Sequence, residues 1–157
     1  MDALKGVLEL TLTERLREQE SGVYNPSVSL GLDKIPRKEF RLGIAFECAP
    51  ENTERLIRAA LDEVAKLRNN GPSAINLEKY RMESTRSREI AIKTNQWWLG
   101  YLSGQLQDGE PLSADSSYLE NLRLLDRLQL KAAAALYLKT GNLSRFVLLP
   151  EINNSSK

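Results

Sequence analysis

The sequence contains no histidine and only one cysteine, Cys48. A chain without histidine cannot carry a histidine-based metal motif, and one thiol can form neither a cysteine-rich metal site nor an internal disulfide. Cys48 comes at the end of an alternating apolar pattern, which predicts a buried, unreactive thiol. The residue types present therefore argue against a complete metal centre on this chain.

The charged residues are nearly balanced, with 22 Lys and Arg against 21 Asp and Glu, and aromatic residues make up 6% of the chain. A nucleic-acid-binding protein concentrates positive charge and interleaves it with aromatic residues, and neither pattern is present here. No apolar run approaches the length of a membrane span, and the first residues lack the layout of a signal peptide. The composition does not distinguish a bacterial cytoplasmic location from a periplasmic one.

Apolar periodicity predicts a helix over residues 3–20, ended by Gly22, and then an antiparallel hairpin of strands 24–32 and 40–48. Pro50 starts a second helix that stops at Gly71. The later predicted elements are helices over 76–107, 118–125 and 129–139, a final strand over 145–149 and a disordered tail over 151–157. This order predicts one α+β domain over residues 1–150, with a small, mostly antiparallel sheet and helices packed on one face.

Two polar side chains flank the predicted break at Gly22, the guanidinium of Arg17 and the phenol of Tyr24. Both groups can donate hydrogen bonds to a developing oxyanion. Taken alone, the residues favour a plainer interpretation. Arg17 would then complement the helix dipole and pair with Glu14 or Glu20, and Tyr24 would be an ordinary strand residue.

The other charged residues are interpreted as surface groups without a metal. The acidic pairs Asp62–Glu63 and Glu18/Glu20 are predicted to lie on solvated helix faces. The basic residues Arg81, Arg86 and Arg88 are predicted to form a stripe that faces solvent or a neighbouring domain.

Four blocks of sequence resemble the second, non-zinc half-domain of the pitrilysin superfamily. They are Leu-Arg-Glu-Gln-Glu-Ser-Gly-Val-Tyr at 16–24, Cys-Ala-Pro-Glu at 48–51, Lys-Thr-Asn-Gln-Trp-Trp-Leu at 93–99 and Val-Leu-Leu-Pro at 147–150. That superfamily includes insulin-degrading enzyme, mitochondrial processing peptidase and many bacterial zinc peptidases. The resemblance covers nearly the whole chain and implies a half-unit of the pitrilysin-type metallohydrolase fold.

The resemblance also implies roles for particular residues. Positions matching Arg17 and Tyr24 contact the substrate backbone near the scissile bond. Asn95 is a candidate substrate-binding residue that lines the peptide chamber, although its neighbours Trp97 and Trp98 favour a buried amide that specifies the core. Zinc is expected only in the parent protein, on an N-terminal unit with an inverted His-x-x-Glu-His motif, and no metal is expected on this chain.

The resemblance implies the C-terminal, substrate-contacting domain of a zinc metallopeptidase that hydrolyses peptides or small proteins. Its expected partners are a peptide substrate and an N-terminal zinc-bearing half-domain or subunit. Because the chain lacks the histidine motif and begins directly at a helix, where family units usually open with strands, we expect a fragment of a longer chain. Without histidine ligands or a cysteine cluster, this fragment is expected to be inactive alone. Two alternatives stay open: a non-catalytic partner or scaffold subunit that binds peptides without cleaving them, and a stand-alone module that captures extended peptides at its sheet edge.

Overall fold

The computed structural model describes residues 1–150, except for the side chains of residues 114–116 and 140. The elements in chain order are α1 (Asp2–Leu12), a π-helical turn (Thr13–Gln19), β1 (Ser27–Asp33), β2 (Glu39–Ala45), α2 (Thr53–Asn70), α3 (Ala74–Ala91), α4 (Asn95–Asp108), α5 (Tyr118–Leu124) and α6 (Arg127–Tyr137). Short 3₁₀ turns occupy Pro50–Asn52, Leu112–Ser117 and Thr140–Asn142. The predicted α+β class is confirmed, and the predicted disordered tail lies outside the described residues.

Helix α1 lies at the centre of the core because its apolar residues recur at helical spacing. They form one stripe, and all of them are buried: Leu4, Val7, Leu8, Leu12 and, in the π-helical turn, Leu16. This stripe packs against β1, α2, α3 and α6. The buried residues that these elements contribute to the same cluster include Val28, Leu56, Leu77, Leu130 and Ala134. No helix among the described residues is long and apolar enough to span a bilayer.

The predicted hairpin is present as an antiparallel pair in which Ser27 faces Ala45 and Asp33 faces Glu39. Within residues 1–150 these two strands form the whole sheet. One face packs on the helices, and the ring of Phe40 lies 5.0 Å from that of Tyr137 in α6. The hairpin therefore connects the core around α1 to the last helix.

The single long helix predicted over 76–107 is wrong, because the chain breaks between α3 and α4. Thr94 has an extended backbone, with φ −110° and ψ 139°, and its hydroxyl accepts a hydrogen bond from the Trp97 amide at 3.3 Å. Threonine is a favourable N-cap, so this residue starts a new helix. Gly109 then ends α4 in the left-handed conformation, as glycine commonly does.

The final strand predicted over 145–149 does not form. These residues join no sheet among the described residues, and the side chain of Leu148 is 99% exposed. Arg145 pairs with Glu54 at the start of α2, which fixes one point of the segment. An apolar, β-prone sequence becomes a strand only where it pairs with a neighbouring strand, and this segment pairs with neither β1 nor β2.

Candidate functional site

Arg17 lies on the π-helical turn that continues α1, where the sequence predicts ordinary α-helix. The amide of Glu20 donates to the carbonyl of Arg15 at 3.1 Å, which closes this wider turn. Leu16 is fully buried while Arg17, the next residue, is exposed. Short π segments within helices are rare and occur frequently at functional sites.

Tyr24 lies just beyond the end of this turn, and its side chain is 83% exposed. The preceding residue, Val23, is buried, and the amide of Gly22 donates to the carbonyl of Leu16 at 3.3 Å. Ser21, rather than Gly22, adopts the left-handed conformation, with φ 50°. Two buried apolar residues thus anchor the segment, and each is followed directly by an exposed hydrogen-bond donor.

Gly22 is packed tightly against α2. A Cβ atom at this position would lie 2.9 Å and 3.0 Å from the two terminal methyl groups of Leu56, which is fully buried. These separations are shorter than side-chain contacts allow, so the residue must be glycine or the core must shift. Glycine is needed at position 22 because the turn approaches α2 so closely.

Charged contacts also tie the turn to α2. Glu20 forms ion pairs with Arg15, at 2.8 Å, and with Arg55 of α2. Arg15 also approaches Glu63, which is 7% exposed and pairs with Lys66 at 2.7 Å. The prediction that Glu63 lies on a solvated face is therefore wrong, and the same correction applies to Glu20. The spacing of five between Arg15 and Glu20 does not match an α-helix, so helical spacing could not have predicted this pair.

A second polar cluster joins the π-helical turn to α3. The carboxylate of Glu14 accepts hydrogen bonds from Lys79, at 2.8 Å, and from the buried amide of Asn76, at 3.0 Å. Asn76 also donates to Thr11 at 3.3 Å. Burial raises the pKa of Glu14, but the hydrogen bonds from Lys79 and Asn76 outweigh this effect and hold the pKa below its ordinary value.

No ion pair or hydrogen bond joins Arg17 to Glu14 or Glu20, whose carboxylates contact other residues instead. The interpretation of Arg17 as a surface ion pair is wrong. Within the described residues neither the guanidinium of Arg17 nor the phenol of Tyr24 has a hydrogen-bond or ion-pair partner. Both donors are free to meet an acceptor that comes from outside this domain.

An open groove of about 750 Å³ runs between α1, the π-helical turn and α3. Glu14 and Glu18 line one side and Lys79, Tyr80 and Arg88 the other. Neither Arg17 nor Tyr24 is among the residues that line this groove.

Asn95 is the first residue of α4, and its side chain is exposed. The predicted buried amide is therefore wrong. The aromatic cluster lies beyond it on α4, where Trp97 stacks on Tyr101 at 5.0 Å and the guanidinium of Arg88 lies 3.9 Å from the Trp97 ring centre. Among the described residues no hydrogen bond or ion pair joins Asn95 to Arg17.

The residues of this chain do not fit a zinc centre. The sequence has no histidine, and among the side chains that the structure describes no three Cys, Asp or Glu groups lie close enough to hold a metal ion. Cys48 is half-buried rather than buried, with its sulfur 3.7 Å from the hydroxyl of Thr53. No mechanistic step on this chain is therefore assigned to a metal.

Comparison with known proteins identifies a matching family and two relatives that are similar in sequence to this chain. The family described as the peptidase M16 inactive domain matches residues 1–84. A protein named zinc protease PQQL-like from Arabidopsis thaliana is 30% identical over 139 residues, which are 82% of this chain and 14% of that protein. The probable zinc protease PqqL of Escherichia coli is 31% identical over 96 residues, which are 61% of this chain and 10% of that protein.

Solved structures agree in fold. The periplasmic protease PqqL from Escherichia coli matches 87% of this chain and 15% of its own, with a TM-score of 0.70 and 26% identity. The peptidase M16 inactive domain from Pseudomonas fluorescens matches 87% of this chain and 34% of its own, with a TM-score of 0.73 and 20% identity. This chain thus spans only a small part of each relative. It belongs to the peptidase M16 family of pitrilysin-like proteins, and corresponds to the C-terminal, inactive domain of that family.

Proposed function

We propose that this chain is the substrate-contacting domain of a zinc-dependent peptidase that hydrolyses peptides or small proteins. The zinc-bearing half would lie on the same polypeptide or on a second subunit. The observation that carries the proposal is the pair of exposed, unpartnered donors, Arg17 and Tyr24, at the ends of a turn whose other contacts hold it in place. The names of the two PqqL-like relatives, a zinc protease and a probable zinc protease, support the same function.

The two donors suit different parts of a peptide bond under attack. The phenol of Tyr24 donates one hydrogen bond to the scissile carbonyl oxygen, which gains negative charge in the transition state. The guanidinium of Arg17 holds a neighbouring backbone carbonyl, or shares that charge, without changing its own protonation. The zinc of the other half, when bound, supplies the Lewis acid and the activated water.

The anchored turn explains why such donors would be effective. Leu16 and Val23 are buried, and Glu20 is clamped by Arg15 and Arg55. A donor on a fixed support needs little reorganisation when the charge develops, and this preorganisation is the source of its catalytic value.

Asn95 is proposed as a substrate-binding residue that acts on affinity alone. Its amide is exposed at the start of α4 and offers both a donor and an acceptor to a peptide backbone. Changing Asn95→Ala in the full-length peptidase is expected to raise KM and leave kcat unchanged. A fall in kcat at constant KM would contradict this assignment.

The second candidate function is a non-catalytic partner subunit that binds peptides. The description of the matching family as an inactive domain is consistent with such a non-catalytic subunit. A pure scaffold needs no hydrogen-bond donors aimed at a developing oxyanion, so the free Arg17 and Tyr24 weigh against it.

Hydrolysis of fluorescence-quenched peptides by the full-length parent protein distinguishes the two functions. We expect cleavage that a zinc chelator abolishes and that collapses in Tyr24→Phe. The matched control is Tyr137→Phe, because Tyr137 meets Phe40 through its ring and keeps that contact without the hydroxyl. Peptide binding without cleavage by the wild-type protein would favour the scaffold.

A further inference from the structure

Helix α4 presents an apolar stripe to solvent. Trp98, Leu99, Leu102 and Leu106 fall within an arc of about 100° on the helix, since successive residues advance by about 100°. All four side chains are exposed, and that of Leu106 is 73% exposed. No residue of α4 is buried, although the structure describes the whole helix.

The helix is also almost free of charge. From Asn95 to Gln107 no residue is charged, and the first charge is Asp108 at the end. A solvated helix face normally carries charged side chains opposite its apolar stripe. Depletion of charge together with aromatic and leucine side chains is typical of the buried centre of a permanent interface.

Contacts on the side of α4 next to the stripe hold the helix against the rest of the domain. The hydroxyl of Tyr101 donates to the carbonyl of Leu112 at 2.6 Å, and Gln105 donates to Pro111 at 2.8 Å. At the far end Asp108 lies 3.7 Å from Lys34 in the hairpin loop. The direction in which the stripe faces is therefore fixed by the domain itself.

We propose that the α4 stripe is the docking surface for the zinc-bearing half of the same peptidase, an assignment that rests on the proposed function. This chain covers 14% of the Arabidopsis relative and 15% of the solved PqqL chain, so most of such a protein lies outside this domain. An uncharged surface of leucine and tryptophan side chains suits a partner that is always bound. Interfaces with partners that bind and dissociate are usually more polar.

Thiol labelling of the full-length parent, assembled with its zinc-bearing half, tests the proposal. Single cysteines are placed in a Cys48→Ala background at Leu99 and Leu106, on the stripe, and at Gln96 and Gln107, which are exposed on the same helix outside the stripe. We expect labelling at the stripe positions to be about tenfold slower than at the control positions, because an interface thiol reacts only when the contact opens.

Equal labelling rates at the stripe and control positions would overturn the proposal. Where the zinc-bearing half is on the same polypeptide, protection of the stripe that disappears on dilution would also overturn the proposal, because that result assigns the surface to a second copy of the protein. The readout needs no catalysis. A protected stripe in a protein that fails to cleave peptides would therefore refute the proposed hydrolysis while leaving the interface in place.

Discussion

The N-terminal and C-terminal parts of this domain differ in how many of their large apolar side chains are buried. In residues 1–72 most large apolar side chains are buried or half-buried, and the exposed ones are Tyr24 at the candidate site, Leu32, Ile35 and Leu61. In residues 95–150 most are exposed, and the buried ones are Leu122, Leu130, Ala134 and Leu138. The first region supplies most of the core, which α3 and α6 complete, and it fixes the candidate site, while the second carries surface that suits contact with another unit.

The largest difference between the regions is expected from deleting leucine side chains in the 157-residue chain. Leu12 is fully buried in the core and Leu106 is exposed on α4. Leu12→Ala should lower the free energy of unfolding by about 2–5 kcal/mol. Leu106→Ala should change it by less than about 0.5 kcal/mol. Urea denaturation measures both, and similar losses in the two variants would break the contrast.

Glycine substitutions sharpen the same comparison. Gly22→Ala pushes a methyl group against the buried Leu56 and should cost about 1–3 kcal/mol of unfolding free energy. Gly104→Ala meets nothing within 4 Å inside α4 and should stabilise the chain by about 0.5–1 kcal/mol. Urea unfolding curves of the two variants measure both changes in unfolding free energy. A stabilising effect of Gly22→Ala would refute the close packing of the turn on α2.

A smaller, pH-dependent effect is expected at Glu14. Because its pKa is held below the ordinary value, ionised Glu14 stabilises the fold above the unfolded-state pKa of about 4.3, and this contribution is lost as the pH falls through the folded-state pKa. The gap in unfolding free energy between the wild type and Glu14→Gln should therefore be larger at neutral pH than at about pH 3.

Glu110 provides the control in the other region. A hydrogen bond from Lys34 lowers the pKa of this carboxyl too, but the pair lies on the surface, where ion pairs contribute little. Glu110→Gln should show a smaller gap at neutral pH than Glu14→Gln. Urea unfolding at both pH values measures the difference in unfolding free energy between the wild type and each of the two variants. A difference for Glu14→Gln that grows toward low pH would contradict the stabilising role of ionised Glu14.

Local patterns in the sequence predicted much of the fold. The stripe of Leu4, Leu8 and Leu12 and the alternation in the hairpin are periodic signals, and both elements form as expected. The break at Thr94 was missed because helical propensity continues on both sides of it, and only the cap distinguishes two helices from one. The strand over 145–149 failed because pairing depends on a neighbour that the pattern of one segment cannot reveal.

For the candidate site, the sequence predicted the exposed donors but not their support. Arg17 and Tyr24 were identified through the spaced block at 16–24, and their roles remain predictions. The Glu20 clamp needed the π-helical register, and the burial of Glu63 depends on how α2 packs; neither follows from helical spacing. Asn95 was misjudged because its tryptophan neighbours suggested burial, whereas the whole of α4 lies at the surface.

The most direct test of the central claim is the separate measurement of kcat and KM for one peptide with the full-length protein and its Tyr24→Phe variant. If the phenol donates to the oxyanion, kcat should fall by about two or three orders of magnitude while KM changes little. An unchanged kcat, with or without a higher KM, would contradict the proposed role of this domain in the chemical step.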